Sequence, residues 1–237
     1  SLQLILDIYE KQGRNNKDLK ILNVNLQHLD SLTKSFYTHT EQAERSLRIS
    51  KLYIIFKQYR EAVTELDKVL TIFKGKDSEI VARAYNHFGI VKFNQNLLDS
   101  AQQYFKNSIL LSDNPFTNVL NYHWLSIISE RNRNYNKAIE NIINAINIKL
   151  EIKSSYKIST EYIRLAKLYK EKGDVDNAII YSKKSLEDTA LSILDKLEVY
   201  CMLSLFYELK NQRKKVNFYH KKQIELQDSL LSLTKQY

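Results

Sequence analysis

The chain has 237 residues, of which 43% are hydrophobic and 27% are charged, a composition typical of a folded globular protein. Its four glycines and single proline are too few for the turns that a sheet protein needs, so we predict an all-α fold. No apolar run approaches the roughly 18 residues of a membrane span, no signal peptide heads the sequence, and a single cysteine excludes an internal disulfide bond.

A repeat of 37 to 40 residues organises the chain. When Gly89 is placed at position 8 of the repeat, position 8 is always small: Ser50, Gly89, Ser126, Ala166 and Ser204. Position 20 is small as well: Ala62, Ala101, Ala138, Ala178 and Val216. An N-terminal copy is weaker, with Tyr9, Gly13 and Leu22 at positions 11, 15 and 24, and with the letters LDSL at 29–32 matching QDSL at 227–230.

Taken in chain order, each unit predicts a helix A, a polar link and a helix B. Positions 4, 7, 8 and 11 fall on one face of helix A, and positions 17, 20, 24, 27 and 28 fall on one face of helix B. The links are NQN 94–96, NRN 132–134, EKGD 171–174 and KNQR 210–213, in which Gly173 and the asparagines can adopt the left-handed conformation that ends a helix. Asp195 and Glu198 predict a capping box for the last helix A. Small residues at positions 8 and 20 predict close helix packing within each hairpin, which explains a glycine inside a helix.

Small, aromatic and alanine positions in this order resemble the tetratricopeptide repeat. The resemblance implies a right-handed α-solenoid of stacked antiparallel helix hairpins, a single domain over 1–237 with approximate repeats 1–40, 41–80, 81–118, 119–157, 158–195 and 196–237. The unit differs from the family's 34 residues in being longer, in having tyrosine where position 4 is often tryptophan, and in lacking most of the prolines near position 32.

The sequence carries no sign of catalysis or of a cofactor. Four scattered glycines cannot form a phosphate-binding loop, and the five histidines include no pair at the spacing of a helical zinc site. Cys201 has no neighbouring His or Asp that would activate it, so we expect a half-buried helix residue. We predict a protein that is not an enzyme, with no cofactor and no metal.

Binding is the common use of a stacked helical array. By resemblance to the family, positions 2, 5, 6, 9, 12 and 13 of each helix A face a concave groove, and the candidate peptide-binding residues there are Arg48, Lys51, Arg83, Asn86, His87, His123, Trp124, Arg131, Arg164, Lys167 and Lys170. Arginine can hold a carboxylate through two hydrogen bonds and a Trp face can hold an apolar side chain. This set therefore favours a protein or peptide partner that is acidic or has a free carboxylate, with an ordinary solvated face as the alternative. The family's carboxylate-clamp pattern, Lys at position 5 with Asn at position 9, is missing, so chaperone-tail binding is not predicted.

Basic residues are densest near the C-terminus, at RKK 213–215 and HKK 220–222. The net charge of +9 permits a nucleic acid as partner, but the cations are spread along the chain among 27 acids. Tyr219 alone does not supply the aromatic interleaving of a nucleic-acid surface. We interpret the cluster as a solvated helix face, and we expect no nucleic-acid binding through this domain.

The closing residues FYHKKQIELQDSLLSLTKQY resemble the end of the repeat region in bacterial membrane-anchored regulators of the histidine-kinase or helix-turn-helix type. The sequence lacks an initiator Met and ends within the pattern, so we expect an excised sensor region, periplasmic in such a regulator, in which ligand binding changes curvature or homodimer pairing. A cytoplasmic peptide-responsive switch and a passive assembly adaptor are the alternatives.

Overall fold

A computed structural model of the protein describes residues 38–74, 78–152 and 158–234. These residues are all-α, as predicted, and form five A/B hairpins. The hairpins are α1 (His39–Ile55) with α2 (Tyr59–Ile72), α3 (Glu79–Asn94) with α4 (Leu98–Leu111), α5 (Pro115–Arg131) with α6 (Tyr135–Glu151), α7 (Ile158–Lys172) with α8 (Val175–Leu186), and α9 (Ile193–Leu209) with α10 (Arg213–Thr234). The weak N-terminal copy, with Tyr9, Gly13 and Leu22, lies outside the described residues.

The chain divides into two compact units, residues 1–121 and 122–237. In the first unit α1 packs on α2, α3 packs on α4, and α3 also packs against α1 and α2. In the second unit α7 packs on α6 and α8, and α9 packs on α8 and α10. Helix B of one hairpin therefore lies against helix A of the next in both units, which is the packing of a tetratricopeptide-like repeat array.

The predicted core positions of the repeat are buried. Position 20 is fully buried in the first four hairpins: Ala62, Ala101, Ala138 and Ala178. Position 8 is buried in all five hairpins. In the last hairpin the face of α10 is open, and Val216 is only half-buried, because no further described helix covers it.

The A helices end in the same way at each link. The residue at repeat position 15 adopts the left-handed conformation: Lys57, Asn96, Arg133, Gly173 and Asn211. The next residue donates its backbone N–H to the carbonyl oxygen five residues earlier, for example Asp174 to Tyr169 at 2.8 Å and Leu97 to Lys92 at 2.9 Å. These bonds satisfy carbonyl groups that the end of a helix leaves free. The prediction is confirmed at Gly173, Asn96 and Asn211, whereas the 132–134 link uses an arginine between its two asparagines.

The predicted capping box of α9 is wrong. Its N-cap is Ser192. The Ser192 hydroxyl accepts a hydrogen bond from the backbone N–H of Asp195 at 3.1 Å and donates one to the Asp195 side-chain carboxylate at 2.6 Å. Glu198 lies further along the helix and binds Lys167 on α7 instead. The helix starts three residues earlier than the sequence pattern indicated, and a serine in extended conformation is an effective cap.

Within the described residues, no helix is both long enough and apolar enough to cross a membrane.

Candidate binding face of the A helices

In the first unit, the predicted cation Arg83 is held by an acid from the preceding helix A. Its Nη1 lies 2.5 Å from Glu44 Oε1, which joins α3 to α1. Arg48 and Lys51 lie on the exposed side of α1. The pair places a negative charge among the cations that the sequence predicted for this face.

His87 is half-buried beside these cations and is neutral at pH 7. Burial lowers the pKa of its imidazole to about 4, and the charges of Arg83 and Lys51 act in the same direction. The Ser50 hydroxyl donates its hydrogen to the carbonyl oxygen of Leu47 at 2.8 Å, so it accepts the Nδ1–H of His87 at 2.9 Å. The ring therefore links α3 to α1 rather than presenting a positive charge.

Asn86 is buried and belongs to a chain of hydrogen bonds. Its Nδ2 donates to Asn121 Oδ1 at 2.7 Å, and Asn121 Nδ2 donates to Ser108 Oγ at 2.8 Å. Ser108 Oγ in turn donates to the carbonyl oxygen of Ala82 at 2.6 Å. The chain connects α3, α4 and the first turns of α5, because a buried amide must satisfy its donors and acceptors.

In the second unit, three more predicted cations are paired with acids. Arg164 Nη2 lies 2.7 Å from Glu130 Oε2 on α5. Lys167 Nζ lies 2.6 Å from Glu198 Oε1 on α9, and Lys170 Nζ lies 2.7 Å from Glu171 Oε1 in its own helix. The A-helix face of this unit is therefore lined by alternating charges rather than by cations alone.

His123 binds a buried acid that the sequence did not single out. Glu161 is 1% exposed, and its Oε1 lies 3.1 Å from His123 Nε2 and 2.5 Å from Lys149 Nζ. Burial raises the pKa of Glu161, but the hydrogen bonds from His123 and Lys149 outweigh it, so the pKa lies below its usual value. Its other oxygen, Oε2, is buried and has no partner among the described residues.

The two buried polar contacts occupy the same place in the repeat. Asn86 and His123 are both at position 5, and their partners Asn121 and Glu161 are both at position 3 of the following helix A. The sequence offered a signal for this, since each pair is separated by about one repeat length. An amide pair and a charged pair therefore join neighbouring A helices at matching positions of the repeat.

The other two predicted residues lie on α5, where Trp124 is half-buried and Arg131 is exposed. Cys201, expected to be half-buried, is exposed on α9. It occupies position 5 of the last described helix A, and no later described helix covers that position. The basic residues 213–215 and 220–221 are exposed on α10, in agreement with a solvated face.

Neither the histidines nor the acids converge on a reactive centre in the part of the chain described. No group of three or more His, Cys, Asp or Glu side chains is placed there to hold a metal ion. We define the A-helix face of each unit as the predicted residues other than the buried Asn86, together with the acids Glu44, Glu130 and Glu198; it carries charges of both signs.

A family model described as "Tetratricopeptide repeat" matches residues 162–187, which comprise most of α7 and α8. The chain has a tetratricopeptide-repeat fold. Comparison with curated proteins gives no match. Tetratricopeptide repeats typically form non-catalytic scaffolds that contact proteins, in line with the prediction that this chain is not an enzyme.

Solved structures with the same repeat fold are similar over most of the chain. The crystal structure of BtubC (BKLC) from P. vanneervenii has a TM-score of 0.69 at 13% identity, covering 86% of each chain. The crystal structure of a Podospora anserina putative kinesin light chain with nearly identical tetratricopeptide-like repeats has a TM-score of 0.63 at 17% identity, covering 79% of this chain and 95% of that one. MamA from Desulfovibrio magneticus RS-1, residues 41 to the end, has a TM-score of 0.59 at 15% identity, covering 80% and 97%.

Proposed function

We propose that the chain is a non-catalytic scaffold whose A-helix face binds an extended protein or peptide segment that carries a carboxylate. The observation that carries the proposal is the pairing of Arg83 and Arg164 with acids at a half-exposed surface. Ion pairs across neighbouring helices hold the guanidinium groups in fixed positions. A ligand carboxylate that arrives from solvent can then exchange with the resident acid at a guanidinium that is already at the surface.

Each guanidinium has N–H donors beyond the one that its acid occupies. Arginine carries five such donors in a planar fork, which suits a carboxylate. Arg164 gives Nη2 to Glu130, and a peptide carboxylate approaching from solvent would compete with Glu130 for this charge. Trp124, half-buried on α5, would supply apolar contact surface in the same unit.

Opposite substitutions within one ion pair test this proposal. A pool of acidic peptides with free C-termini is titrated into the purified chain, and affinity is followed by fluorescence anisotropy. We expect Arg164→Gln to lower affinity about tenfold, the size of one charge-assisted hydrogen bond, and Glu130→Gln to raise it, because this change removes the competing acid.

Glu140→Gln is the matched control, since Glu140 forms an exposed ion pair with Lys137 on α6, away from the A helices. It should leave affinity unchanged. Equal affinities for all three variants and the parent chain would reject the A-helix face as the binding surface, as would an unchanged affinity after Arg83, His123 and Arg164 are all changed to alanine.

We further propose that this scaffold is the sensor or interaction domain of a bacterial signalling or transcriptional regulator. The resemblance of the C-terminal residues, which lie in the helix over residues 213–234, to the repeat ends of such regulators supports this. The gene sequence after Tyr237 tests it. An apolar run of about 20 residues followed by an output domain supports the sensor, whereas a stop codon contradicts it and favours a peptide-responsive switch or an assembly adaptor.

A further inference from the structure

A groove of about 600 Å³ lies in the first unit between α2, which is the helix B of one hairpin, and both helices of the next hairpin, α3 and α4. Apolar and aromatic side chains form much of its surface: Val63, Leu70, Tyr85, Phe88 and Tyr104. Asp67 and Lys92 bring opposite charges to it. No residue of the A-helix face lines this groove, so it is a separate surface.

The second unit contains the same aromatic contact twice and serves as an internal reference. The rings of Tyr85 and Tyr104, at repeat positions 4 and 23, have centroids 6.0 Å apart. At the same positions in the second unit the distances are 6.1 Å and 6.2 Å, for Tyr162 with Tyr181 and for Tyr200 with Tyr219. The three hairpins therefore place these two tyrosines in the same way.

A third tyrosine completes the aromatic group in the second unit. At position 11, Tyr169 stacks on Tyr181 with centroids 5.4 Å apart, and Tyr207 stacks on Tyr219 with centroids 5.6 Å apart. In α3, which lines the groove of the first unit, the residue at repeat position 11 is Lys92. Phe88 stacks on Tyr104 from one turn earlier in α3, at 5.2 Å, so the turn of α3 that carries Lys92 brings no ring to the groove.

The groove also differs in charge from the equivalent contact around Tyr207 in the second unit. In the second unit, Lys183 Nζ lies 5.7 Å and Lys215 Nζ lies 4.7 Å from the centroid of the Tyr207 ring. Lys183 is at position 25 of the preceding helix B. The residue at that position beside the groove is Asp67, so the groove has an acid where the contact of α8 with α9 and α10 has a cation; at the contact of α6 with α7 and α8 the same position is Ile143.

We propose that this groove binds a peptide segment of a partner protein in which an aromatic side chain stands next to a lysine or arginine. The guest ring takes the place that Tyr207 occupies in the second unit and stacks beside Tyr104. The guest cation pairs with Asp67, and the Lys92 ammonium lies against the guest ring. Ring stacking, a cation over a ring and an ion pair together give both affinity and sequence preference.

Short peptides test the preference directly. Capped peptides centred on Tyr-Lys, Tyr-Glu and Ala-Lys are titrated into the full chain, and the aromatic NMR signals of Tyr85, Phe88 and Tyr104 report binding. The Tyr-Lys peptide should bind about tenfold more tightly than either of the others, because loss of an anchor side chain at the centre of a contact costs at least this much.

Two substitutions copy the second unit into the groove. Lys92→Tyr installs the ring that Tyr169 and Tyr207 provide, and it should abolish Tyr-Lys binding while the chain stays folded. Asp67→Lys, at an exposed site on α2, should reverse the preference from Tyr-Lys to Tyr-Glu. Lys106→Tyr is the control, since Lys106 is exposed on α4 and does not line the groove; it should bind like the parent chain.

The proposal is overturned if the three peptides bind within about twofold of each other, or if none shifts the groove signals. It is also overturned if Asp67→Lys leaves the preference unchanged. Self-association that Lys92→Tyr removes, measured by sedimentation without any response to peptide, would assign the groove to a second copy of the chain instead. Arg164→Gln should leave Tyr-Lys binding unchanged, so failure of the A-helix face and failure of this groove are distinguishable.

Discussion

The ring of Phe105 lies where a side chain at position 89 would begin. A Cβ built on Gly89 would stand 2.6 Å from Phe105 Cε1 and 2.7 Å from Cδ1, distances that real Cβ atoms do not adopt. Phe105 is fully buried on α4, so its ring has little room to move. The residue opposite position 8 differs elsewhere: Ser50 and Ser126 belong to hairpins that carry Leu66 and Ile142 at the position of Phe105.

Gly89→Ala should therefore destabilise the first unit. Alanine favours a helix by about 1 kcal/mol over glycine, but the methyl group overpacks the Phe105 ring at a cost of about 1–3 kcal/mol. Combining it with Phe105→Leu should remove most of the loss. Unfolding by denaturant measures both, and a Gly89→Ala chain at least as stable as the parent would contradict the packing argument.

His87 should make the stability of the first unit depend on pH between about 4 and 6.5. Its pKa is about 4 in the folded chain and about 6.5 when unfolded, so the unfolded chain binds more protons in this interval. The contribution of His87 to the free energy of unfolding is therefore complete above about pH 6.5, the pKa in the unfolded chain. It is lost as the pH falls towards about 4, the pKa in the folded chain. At about 1.4 kcal/mol per pKa unit, the loss is about 3 kcal/mol.

The measurement is the difference in unfolding free energy between the parent chain and His87→Asn, from pH 7.5 down to pH 4. We expect the parent's advantage to shrink with acidification, since asparagine does not titrate. An NMR titration in which the His87 ring protonates near 6.5 in the folded chain would contradict the prediction.

Lys149 should be more important for stability than its place near the end of α6 implies. Its side chain is 11% exposed and neutralises Glu161, which is 1% exposed. Lys149→Met leaves that buried carboxylate with His123 alone, and breaking a buried pair costs about 3–5 kcal/mol. Lys137→Met, on the same helix, removes a pair in which both side chains are about half exposed and should cost at most about 1 kcal/mol.

Thermal and denaturant unfolding of the two methionine variants, compared with the parent chain, measure the contrast. Equal effects of the two substitutions would show that Glu161 is satisfied without Lys149. Glu161→Gln combined with Lys149→Met should recover part of the lost stability, because the neutral amide does not need a cation.

Much of the fold could be predicted because it depends on near neighbours in the sequence. Helix formation, the small residue at position 8 and the left-handed residue at position 15 all recur at the repeat spacing. The start of α9 was missed because Ser and Asp are N-cap residues of similar strength. Ser192 and Asp195 lie three residues apart, and the sequence alone does not show which of them caps the helix. The burial of Asn86 was missed because the sequence pattern around an asparagine on a helix is the same whether its amide contacts water or a second buried amide.

The amino-acid sequence by itself determined the repeat register, the helix pairs and the positions that pack within each hairpin, since these follow from periodicities of a few residues. Only the tertiary structure decided which partner each polar side chain takes. Arg83 binds Glu44, His123 binds Glu161 and Arg164 binds Glu130, across 34 to 39 residues of sequence. Such partners are selected by how neighbouring hairpins stack, and the same stacking leaves a groove at Lys92 where other hairpins bring a tyrosine.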